Sequence, residues 1–352
     1  MDHHRTTPSG RVRARGLGIP LRGEPGAYNA ITDVPGVEVG YTTLVEGADV
    51  RTGVTAVLPR PRPSLGVPCP AGWFSFNGNG EMTGTAWIEE SGGLTGPIGI
   101  TNTHAVGMVH AGIVEWMVRE LPAVAERWLL PVVAETWDGY LNDINGRHVR
   151  PSHAVAALDA ARPGPLDEGS VGGGTGMRCY GYKGGSGTAS RMLSYAGERF
   201  TVGAFVQANF GARAELTIAG APLGRSLPPV ELDGDGSVIV VIATDAPLLP
   251  GQCKALARRA TLGIGRTGTS GSHFSGDIFL ALSTAAAESS GGFSVARFVP
   301  WEALDPFYAA VVESVEEAVL NALVANVPMT GRSGRHLDAL PHDAVRAAFA
   351  AL

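Results

Sequence analysis

The most constraining feature of this sequence is the alternation of short apolar runs with longer helical patterns. Runs with the length and composition of strands lie at residues 54–58, 99–101, 132–136, 200–207 and 238–244. Helical patterns lie at residues 105–121, 250–263 and 309–324. Thr103 is a possible N-cap of the first helix, and an Asp305-Pro306 pair is typical of the start of the last. Strands interleaved with helices predict a layered αβ protein.

The composition excludes several classes of protein. Hydrophobic residues make up 44% of the chain, whereas disorder needs low hydrophobicity and high net charge. The formal net charge of −6 argues against a general nucleic-acid-binding protein, which would carry a basic surface. The one basic cluster, Arg11, Arg13 and Arg15, is expected to form a solvated entry segment. The longest apolar runs have strand length, far below the roughly 18 residues that span a bilayer. We therefore expect neither nucleic acid nor membrane as a partner.

The cysteines and the N-terminal residues bear on the compartment. Cys69, Cys179 and Cys253 are odd in number and form no CxxC pair, so neither a disulfide framework nor a structural zinc site is indicated. The first twenty residues contain no apolar segment of the kind found in secretory signals. Because free cysteines suit a reducing compartment, we expect a cytoplasmic protein.

The 49 glycines are unevenly spread, and three groups of them lie at residues 76–80, 169–187 and 263–276. A phosphate-binding loop needs Lys after its last glycine, but Tyr182 follows Gly181, and the spacing of the triple glycine does not fit a dinucleotide turn. His104 and His110 would lie about 120° apart on a helix, which opposes a metal site. A lipase-like nucleophile elbow is also excluded, because no strand precedes Ser270.

The third glycine-rich segment runs directly into an apolar strand, and Ser275 is predicted as the first residue of that strand. A serine at such a junction could attack the preceding carbonyl in an N-to-O acyl shift. Hydrolysis would then cut the chain and free an α-amine with an ordinary pKa of about 7.7–8.0. That amine could serve as the base for the hydroxyl of the same residue, which is the principle of N-terminal nucleophiles.

Ser275 begins one of several characteristic segments that follow one another along most of the chain, at residues 31–37, 76–84, 99–104, 134–143, 172–177, 207–211, 243–248, 275–280 and 314–318. In these segments the sequence resembles a known family, the DmpA-type self-processing serine aminopeptidases. The family includes L-aminopeptidase/D-amidase/D-esterase enzymes and β-peptidyl aminopeptidases.

The resemblance implies specific site residues. It makes Ser275 both the self-cleavage point and the nucleophile, with the cut between Phe274 and Ser275, and it makes Asn209 part of the oxyanion hole. It also places Tyr140 in the active site and assigns catalytic roles to Ser314 and Glu316. Glu135 is expected to hold the free amine of the substrate, and Trp137 to line the pocket with it. No metal or organic cofactor is implied.

The resemblance further implies an α+β fold, a four-layer αββα sandwich of the type shared with ornithine acetyltransferase and similar to N-terminal-nucleophile hydrolases. We expect one catalytic domain over residues 1–352, processed into an α-chain of residues 1–274 and a β-chain of residues 275–352. The expected function is an aminopeptidase that releases N-terminal residues from short peptides, amides or esters. We expect a homo-oligomer of αβ units.

Several alternatives stay open. One alternative function is that of an acyltransferase like ornithine acetyltransferase, although that enzyme uses Thr where this chain has Ser275. The other alternative is a non-catalytic binding protein that is never cut. Phe274 is bulkier than the residue that commonly precedes the nucleophile, so Ser272 is a second candidate for the cut. On a regular helix Ser314 and Glu316 lie about 200° apart, so both cannot point at one site.

Overall fold

The computed structural model describes residues 2–230, 236–285, 288–290 and 292–350. Its helices are α1 (Thr85–Ser91), α2 (Val106–Glu120), α3 (Pro122–Ala125), α4 (Pro151–Asp159), α5 (Pro250–Gly265), α6 (Asp305–Val324) and α7 (His342–Phe349). Its first eight strands are β1 (Glu38–Glu46), β2 (Val50–Leu58), β3 (Cys69–Gly78), β4 (Gly93–Leu94), β5 (Ile98–Asn102), β6 (Val132–Thr136), β7 (Arg178–Cys179) and β8 (Tyr182–Lys183). The others are β9 (Gly185–Tyr195), β10 (Glu198–Asn209), β11 (Ser237–Thr244), β12 (Gly276–Ser283), β13 (Glu288–Ser290), β14 (Phe293–Val295), β15 (Met329–Thr330) and β16 (His336–Leu337).

Two sheets form the centre of the molecule. One has four strands in the order β1-β2-β5-β6, and the other has six in the order β4-β3-β12-β11-β10-β9. Their facing sides share one buried cluster, in which Ile98 and Ile100 of the smaller sheet join Ile239, Val241 and other residues of the larger one. Sheet-on-sheet burial of this kind supplies the inner core of a sandwich.

A helical layer covers the outer face of each sheet. Helices α2 and α4 pack on the four-stranded sheet, and α5 and α6 pack on the six-stranded sheet. The strands alternate accordingly, since Ile278 and Leu280 face the inner core whereas Phe279 and Ala281 face the helices. The fold is therefore α+β with four layers, αββα, as the family resemblance implied.

Strand β12 lies in the interior of the six-stranded sheet. It pairs in parallel with β11 and antiparallel with β3, so that Gly276 lies opposite Ser237 on one side and Gly78 on the other. This strand begins at Gly276, one residue later than the sequence predicted. Ser275 therefore lies just outside the sheet, where the loop that follows α5 enters it.

The N-terminal arginines correct one expectation. Arg13 is buried and forms a bidentate pair with the buried Glu168, and Arg15 pairs with the buried Glu317. These two side chains are therefore not solvated, whereas Arg11 is exposed as expected. Arg13 donates to the Thr188 carbonyl of β9, and Arg15 donates to Glu317 of α6.

Candidate active site

The ends of several strands surround one cleft, which we call the strand-end cleft. Here the carboxyl ends of β3, β5 and β6 meet the amino ends of β11 and β12. The cavity has a volume of about 620 Å³ and is lined by residues 78–81, Thr103, Glu135, Trp137, Gly236, Ser237 and Phe274. Backbone that leaves a sheet here is free of ladder bonds, so side chains and loops from distant segments can converge on one space.

Ser275 is buried beside this cleft, at the end of a tight turn. Its backbone N–H donates to the Ser272 carbonyl at 3.0 Å, and its hydroxyl donates to Asp277 Oδ1 at 2.6 Å. The next residue is glycine because the backbones are close here. A Cβ on Gly276 would lie only 2.3 Å from the Asn79 carbonyl oxygen. The Ser275 hydroxyl is thus held by the Asp277 carboxylate, and the close approach of β12 to the end of β3 fixes its position.

Asp277 is 4% exposed, and burial raises the pKa of its carboxyl. Hydrogen bonds from Ser275, from Asn77 and from the Val238 backbone oppose that shift. Asn77 Nδ2 donates to Asp277 Oδ2 at 3.0 Å and also to the Ser272 carbonyl at 3.0 Å. One asparagine therefore fixes both the carboxylate and the turn before Ser275.

The carbonyl of Phe274 is part of the peptide bond that the sequence marks for cleavage. Asn79 Nδ2 donates to this oxygen at 2.6 Å. The Phe274 side chain is 60% exposed and forms an edge contact with His273, so it fills no buried pocket. A side-chain amide thus polarises the carbonyl on the amino side of Ser275.

Glu135 is a buried carboxylate in the wall of the cleft. Oε1 accepts from the Glu81 backbone N–H at 3.0 Å, and Oε2 accepts from the Thr103 hydroxyl. Burial raises the pKa of the Glu135 carboxyl. No salt bridge to Glu135 forms among the residues that the structure describes. A buried carboxylate without a protein cation suits an incoming ammonium group.

Asn209 and Trp137 form a neighbouring group at the same strand ends. Asn209 Nδ2 donates to the Trp137 carbonyl at 2.9 Å, and Asn209 Oδ1 accepts from the Arg178 backbone N–H at 2.9 Å. Ser237 Oγ accepts from the Trp137 N–H at 3.1 Å. Trp137 is therefore fixed in the cleft wall, and the Asn209 amide is engaged in holding it.

Tyr140 is not among the residues that line the cleft. The guanidinium groups of Arg178 and Arg335 each lie 5.3 Å from the centroid of its ring. The structure thus brings Ser275, Phe274, Glu135 and Trp137 to the cleft or its edge, and engages Tyr140 in cation–π contacts outside the cleft lining.

Ser314 and Glu316 lie on α6, in the outer helical layer. The Ser314 hydroxyl donates to the Ala310 and Val311 carbonyls of its own helix. Glu316 forms an ion pair with Arg266 at 3.1 Å and lines a second groove with residues 20–22, 219–220 and Arg266. The helix is continuous through both positions, so the two side chains point in different directions. Among the described contacts, none joins either one to Ser275.

Four residues that the structure places around the scissile bond and Glu135 were not predicted as site residues, namely Asn77, Asn79, Thr103 and Asp277. Thr103 does not cap a helix, because its hydroxyl bonds Glu135 and the Asn102 side chain accepts the His104 N–H instead. All four lie within the family segments, which was the signal available.

Two general findings bear on the kind of site. Within the described ranges, no group of three or more His, Cys, Asp or Glu side chains has an arrangement that could hold a metal ion. In the same ranges, every helix is too short or too polar to cross a bilayer.

The chain is similar to several known proteins over almost its whole length. The beta-peptidyl aminopeptidase BapA of Sphingosinicella microcystinivorans is 50% identical, over 95% of this chain and 91% of its own length. The structure of the L-aminopeptidase D-Ala-esterase/amidase of Ochrobactrum anthropi, described as a variant of the Ntn hydrolase fold, superposes with a TM-score of 0.92. It is 49% identical and covers 96% of this chain and 98% of its own.

A beta-aminopeptidase from a Burkholderia species is also similar, with a TM-score of 0.90 and 45% identity over 97% of this chain and 99% of its own. Residues 29–337 match the profile of peptidase family S58. A match over this length, together with relatives near 50% identity, places the chain in a family: it belongs to peptidase family S58.

Proposed function

We propose that this aminopeptidase cuts its own chain between Phe274 and Ser275 and then uses Ser275 as an N-terminal nucleophile. The observation that carries the proposal is the position of the Ser275 hydroxyl, which is buried beside the cleft and bonded to Asp277, directly after a carbonyl that accepts from Asn79. The single catalytic domain would then consist of an α-chain of residues 1–274 and a β-chain of residues 275–352.

In the cut enzyme the freed α-amine of Ser275 takes the hydroxyl proton as the oxygen attacks the substrate carbonyl. Asn209 donates to the tetrahedral oxyanion, which requires its amide to turn from the Trp137 carbonyl that it holds in the uncut chain. Tyr140 stabilises this side of the site through its contacts with the arginines. The amine product leaves, and water hydrolyses the acyl-enzyme. These steps use only groups of the chain and water.

The chemistry of the cleft supports a small substrate with a free amino group. The buried carboxylate of Glu135 receives the ammonium, and Trp137 provides an apolar wall next to it. We therefore propose short peptides, amides and esters as substrates, from which the enzyme removes the N-terminal residue. Ser314 and Glu316 stay candidates for the reaction, but their contacts support a place in the packing of α6.

Two properties of the whole protein are also part of the proposal. A cytoplasmic location is supported by the three free cysteines, all of which are buried. Assembly into a homo-oligomer is supported by an apolar groove whose exposed aromatic side chains, Trp87 and Trp128, contact each other edge to face.

The test is to express the wild type, Ser275→Ala and Ser272→Ala, and to analyse each by denaturing gel and intact-mass spectrometry. We expect the wild type and Ser272→Ala to give fragments of residues 1–274 and 275–352, and Ser275→Ala to give one intact chain. Hydrolysis of aminoacyl p-nitroanilides should accompany the cut, and Ser275→Ala should lose on the order of 10⁵–10⁶-fold in rate. An intact active wild type, or transfer of acetyl groups to ornithine in place of hydrolysis, would contradict the proposal.

A further inference from the structure

We propose that Asn79 and Asp277 are the catalytic residues of the self-cleavage step. Asn79 stabilises the oxyanion that forms on the Phe274 carbonyl, and Asp277 takes the proton from the Ser275 hydroxyl. The inference rests on the proposed function, because it concerns the cut that creates the nucleophile. It separates two sets of groups, one that cuts the chain and one that cuts substrates.

The uncut chain needs a proton acceptor other than the one used in the mature enzyme. Before the cut, the nitrogen of Ser275 is an amide that donates to the Ser272 carbonyl, so it has no lone pair to act as a base. The acceptor that the structure offers to the hydroxyl is Asp277 Oδ1, at 2.6 Å. This distance lies within the range expected of a general base.

The surroundings of Asp277 suit this role. The carboxyl is buried, and the groups that bond it from the turn, β3 and β11 are Ser275, Asn77 and the Val238 backbone. None of these groups carries a charge that would stabilise the ionised form. Burial raises the pKa of Asp277, and a carboxylate with a raised pKa is a stronger base.

The oxyanion donor of the uncut chain must also differ from the one expected in the mature enzyme. The amide of Asn209 is occupied, since Nδ2 donates to Trp137 and Oδ1 accepts from Arg178. Asn79 Nδ2 lies 2.6 Å from the Phe274 oxygen, which is the atom on which negative charge develops. A side-chain amide aimed at that oxygen is the arrangement of an oxyanion hole.

Asn77 is a positioning residue for the same step. It lies two residues before Asn79, with Gly78 between them, and acts on the same turn. Its amide joins the Ser272 carbonyl to Asp277 Oδ2, which holds the turn and the base in one register. Because Asn77 lies opposite Asp277 in the β3–β12 ladder, the strand pairing itself sets this geometry.

The step balances without any co-reactant except water. Asp277 takes the hydroxyl proton as Ser275 Oγ bonds to the Phe274 carbonyl carbon, and the oxyanion accepts from Asn79. The C–N bond breaks, and Asp277 returns the proton to the departing Ser275 nitrogen, which leaves an ester. Water then hydrolyses the ester, giving the Phe274 carboxylate, the free Ser275 hydroxyl and a free α-amine.

The experiment follows the conversion of freshly translated full-length chain into its two fragments by denaturing gel over time. The variants are Asn79→Ala, Asp277→Asn and Asn77→Ala, with His273→Ala as a control, since His273 is an exposed residue of the same turn. We expect His273→Ala to match the wild type. Asn79→Ala and Asp277→Asn should slow the cut by about 10²–10³-fold, as loss of an oxyanion donor or a general base does. Asn77→Ala should slow it less.

A pH profile distinguishes catalysis from misfolding. The rate of the wild-type cut should fall about tenfold per pH unit below the pKa of Asp277, and the isosteric Asp277→Asn should lose that dependence. Asn79→Asp, also isosteric, should be slow at neutral pH, where its carboxylate cannot donate to the oxyanion. A cut at the wild-type rate in Asn79→Ala or Asp277→Asn would overturn the inference and leave the proposed function intact. A wild type that is never cut would overturn both.

Discussion

Two sets of buried carboxylates in this protein have opposite electrostatic surroundings. Glu317 accepts from the guanidinium groups of Arg15 and Arg191 and from the Asn29 amide. Burial favours the neutral form, but these groups outweigh it and lower the pKa of the Glu317 carboxyl. Glu135 and Asp277 accept only from hydroxyl, amide and backbone groups, and burial raises their pKa values. We call Glu317 and Glu168, with Arg13, Arg15 and Arg191, the arginine cluster. In Glu168 burial raises the pKa of the carboxyl even against the neighbouring Arg13.

The difference shows how the fold separates structure from chemistry. In the arginine cluster every charge has a partner, so the cluster can hold the N-terminal segment against α6 and β9 but has no capacity left for a ligand. The carboxylates at the strand-end cleft are buried without a cationic partner, so binding a cation or a proton stabilises them. An ammonium group can bind at Glu135, and Asp277 can take up a hydroxyl proton.

The largest expected effect on stability comes from breaking the arginine cluster. In a Ser275→Ala background, which keeps the chain in one piece, Glu317→Ala leaves Arg15 and Arg191 without their shared carboxylate. Removing one partner of a buried ion pair costs about 3–5 kcal/mol, which a urea-unfolding curve would measure. Glu24→Ala is the matched control, because it breaks an ion pair with Arg199 in which both side chains are exposed. We expect that control to leave the midpoint almost unchanged. Equal midpoints for the two variants would contradict the comparison.

A smaller effect, on binding and not on stability, is expected at the cleft. Glu135→Gln keeps one oxygen that can accept from the Glu81 N–H, and its amide N–H can donate to the Thr103 hydroxyl, but the charge that faces the substrate ammonium is removed. We expect kcat/KM for aminoacyl p-nitroanilides to fall on the order of 10²-fold, because an unpaired buried charge costs about 2–5 kcal/mol. In the Ser275→Ala background, Glu135→Gln should leave the urea midpoint unchanged or raise it slightly. An N-acetylated substrate is the control, since wild type and variant should treat it alike. An unchanged kcat/KM would exclude Glu135 as the amine site.

The smallest effect is a pair of opposite pH dependences, again in the Ser275→Ala background. Glu317 has a lowered pKa in the folded state, so its stabilisation is complete above the ordinary value of 4.5 and is lost as pH falls through the folded value. Glu135 has a raised pKa, so the folded state is favoured below 4.5 and loses stability as pH rises through the folded value. The measurement is the urea midpoint from pH 3 to pH 8. Glu317→Gln should reduce the fall of the midpoint in acid, and Glu135→Gln should reduce the fall of the midpoint above pH 4.5. The same slopes in both variants would refute the assignment.

Much of the fold could be read from local sequence, and the exceptions have a common cause. The strand at residues 132–136 was predicted with its observed bounds, and the helix at residues 250–263 to within two residues, because periodicity and length are local properties. The interpretation of Arg13 and Arg15 was wrong because their partners lie 155 and 302 residues away. Burial of a charge depends on contacts that no window of sequence contains.

The same reason divides the predictions about the site. Ser275, Phe274, Glu135 and Trp137 were expected near one another from family segments, and all four reach the cleft or its edge. The roles of Asn79 and Asp277 could not be predicted, because they follow from the pairing of β3 with β12, two strands about 200 residues apart in sequence. For Ser314 and Glu316, helical geometry already predicted that the two side chains could not both point at one site. The continuous helix α6 shows the regular geometry on which that prediction depends.

The interior position of β12 has a consequence for the life of the protein after the proposed cut. Strand β12 would hold the smaller fragment between β11 and β3 by backbone hydrogen bonds on both sides. The two fragments would therefore stay associated in the folded enzyme after the cut. Unfolding would be different, since the two fragments would drift apart and refolding would become a second-order encounter. The mature enzyme would then owe its lifetime to the height of its unfolding barrier, and each molecule could fold efficiently only once.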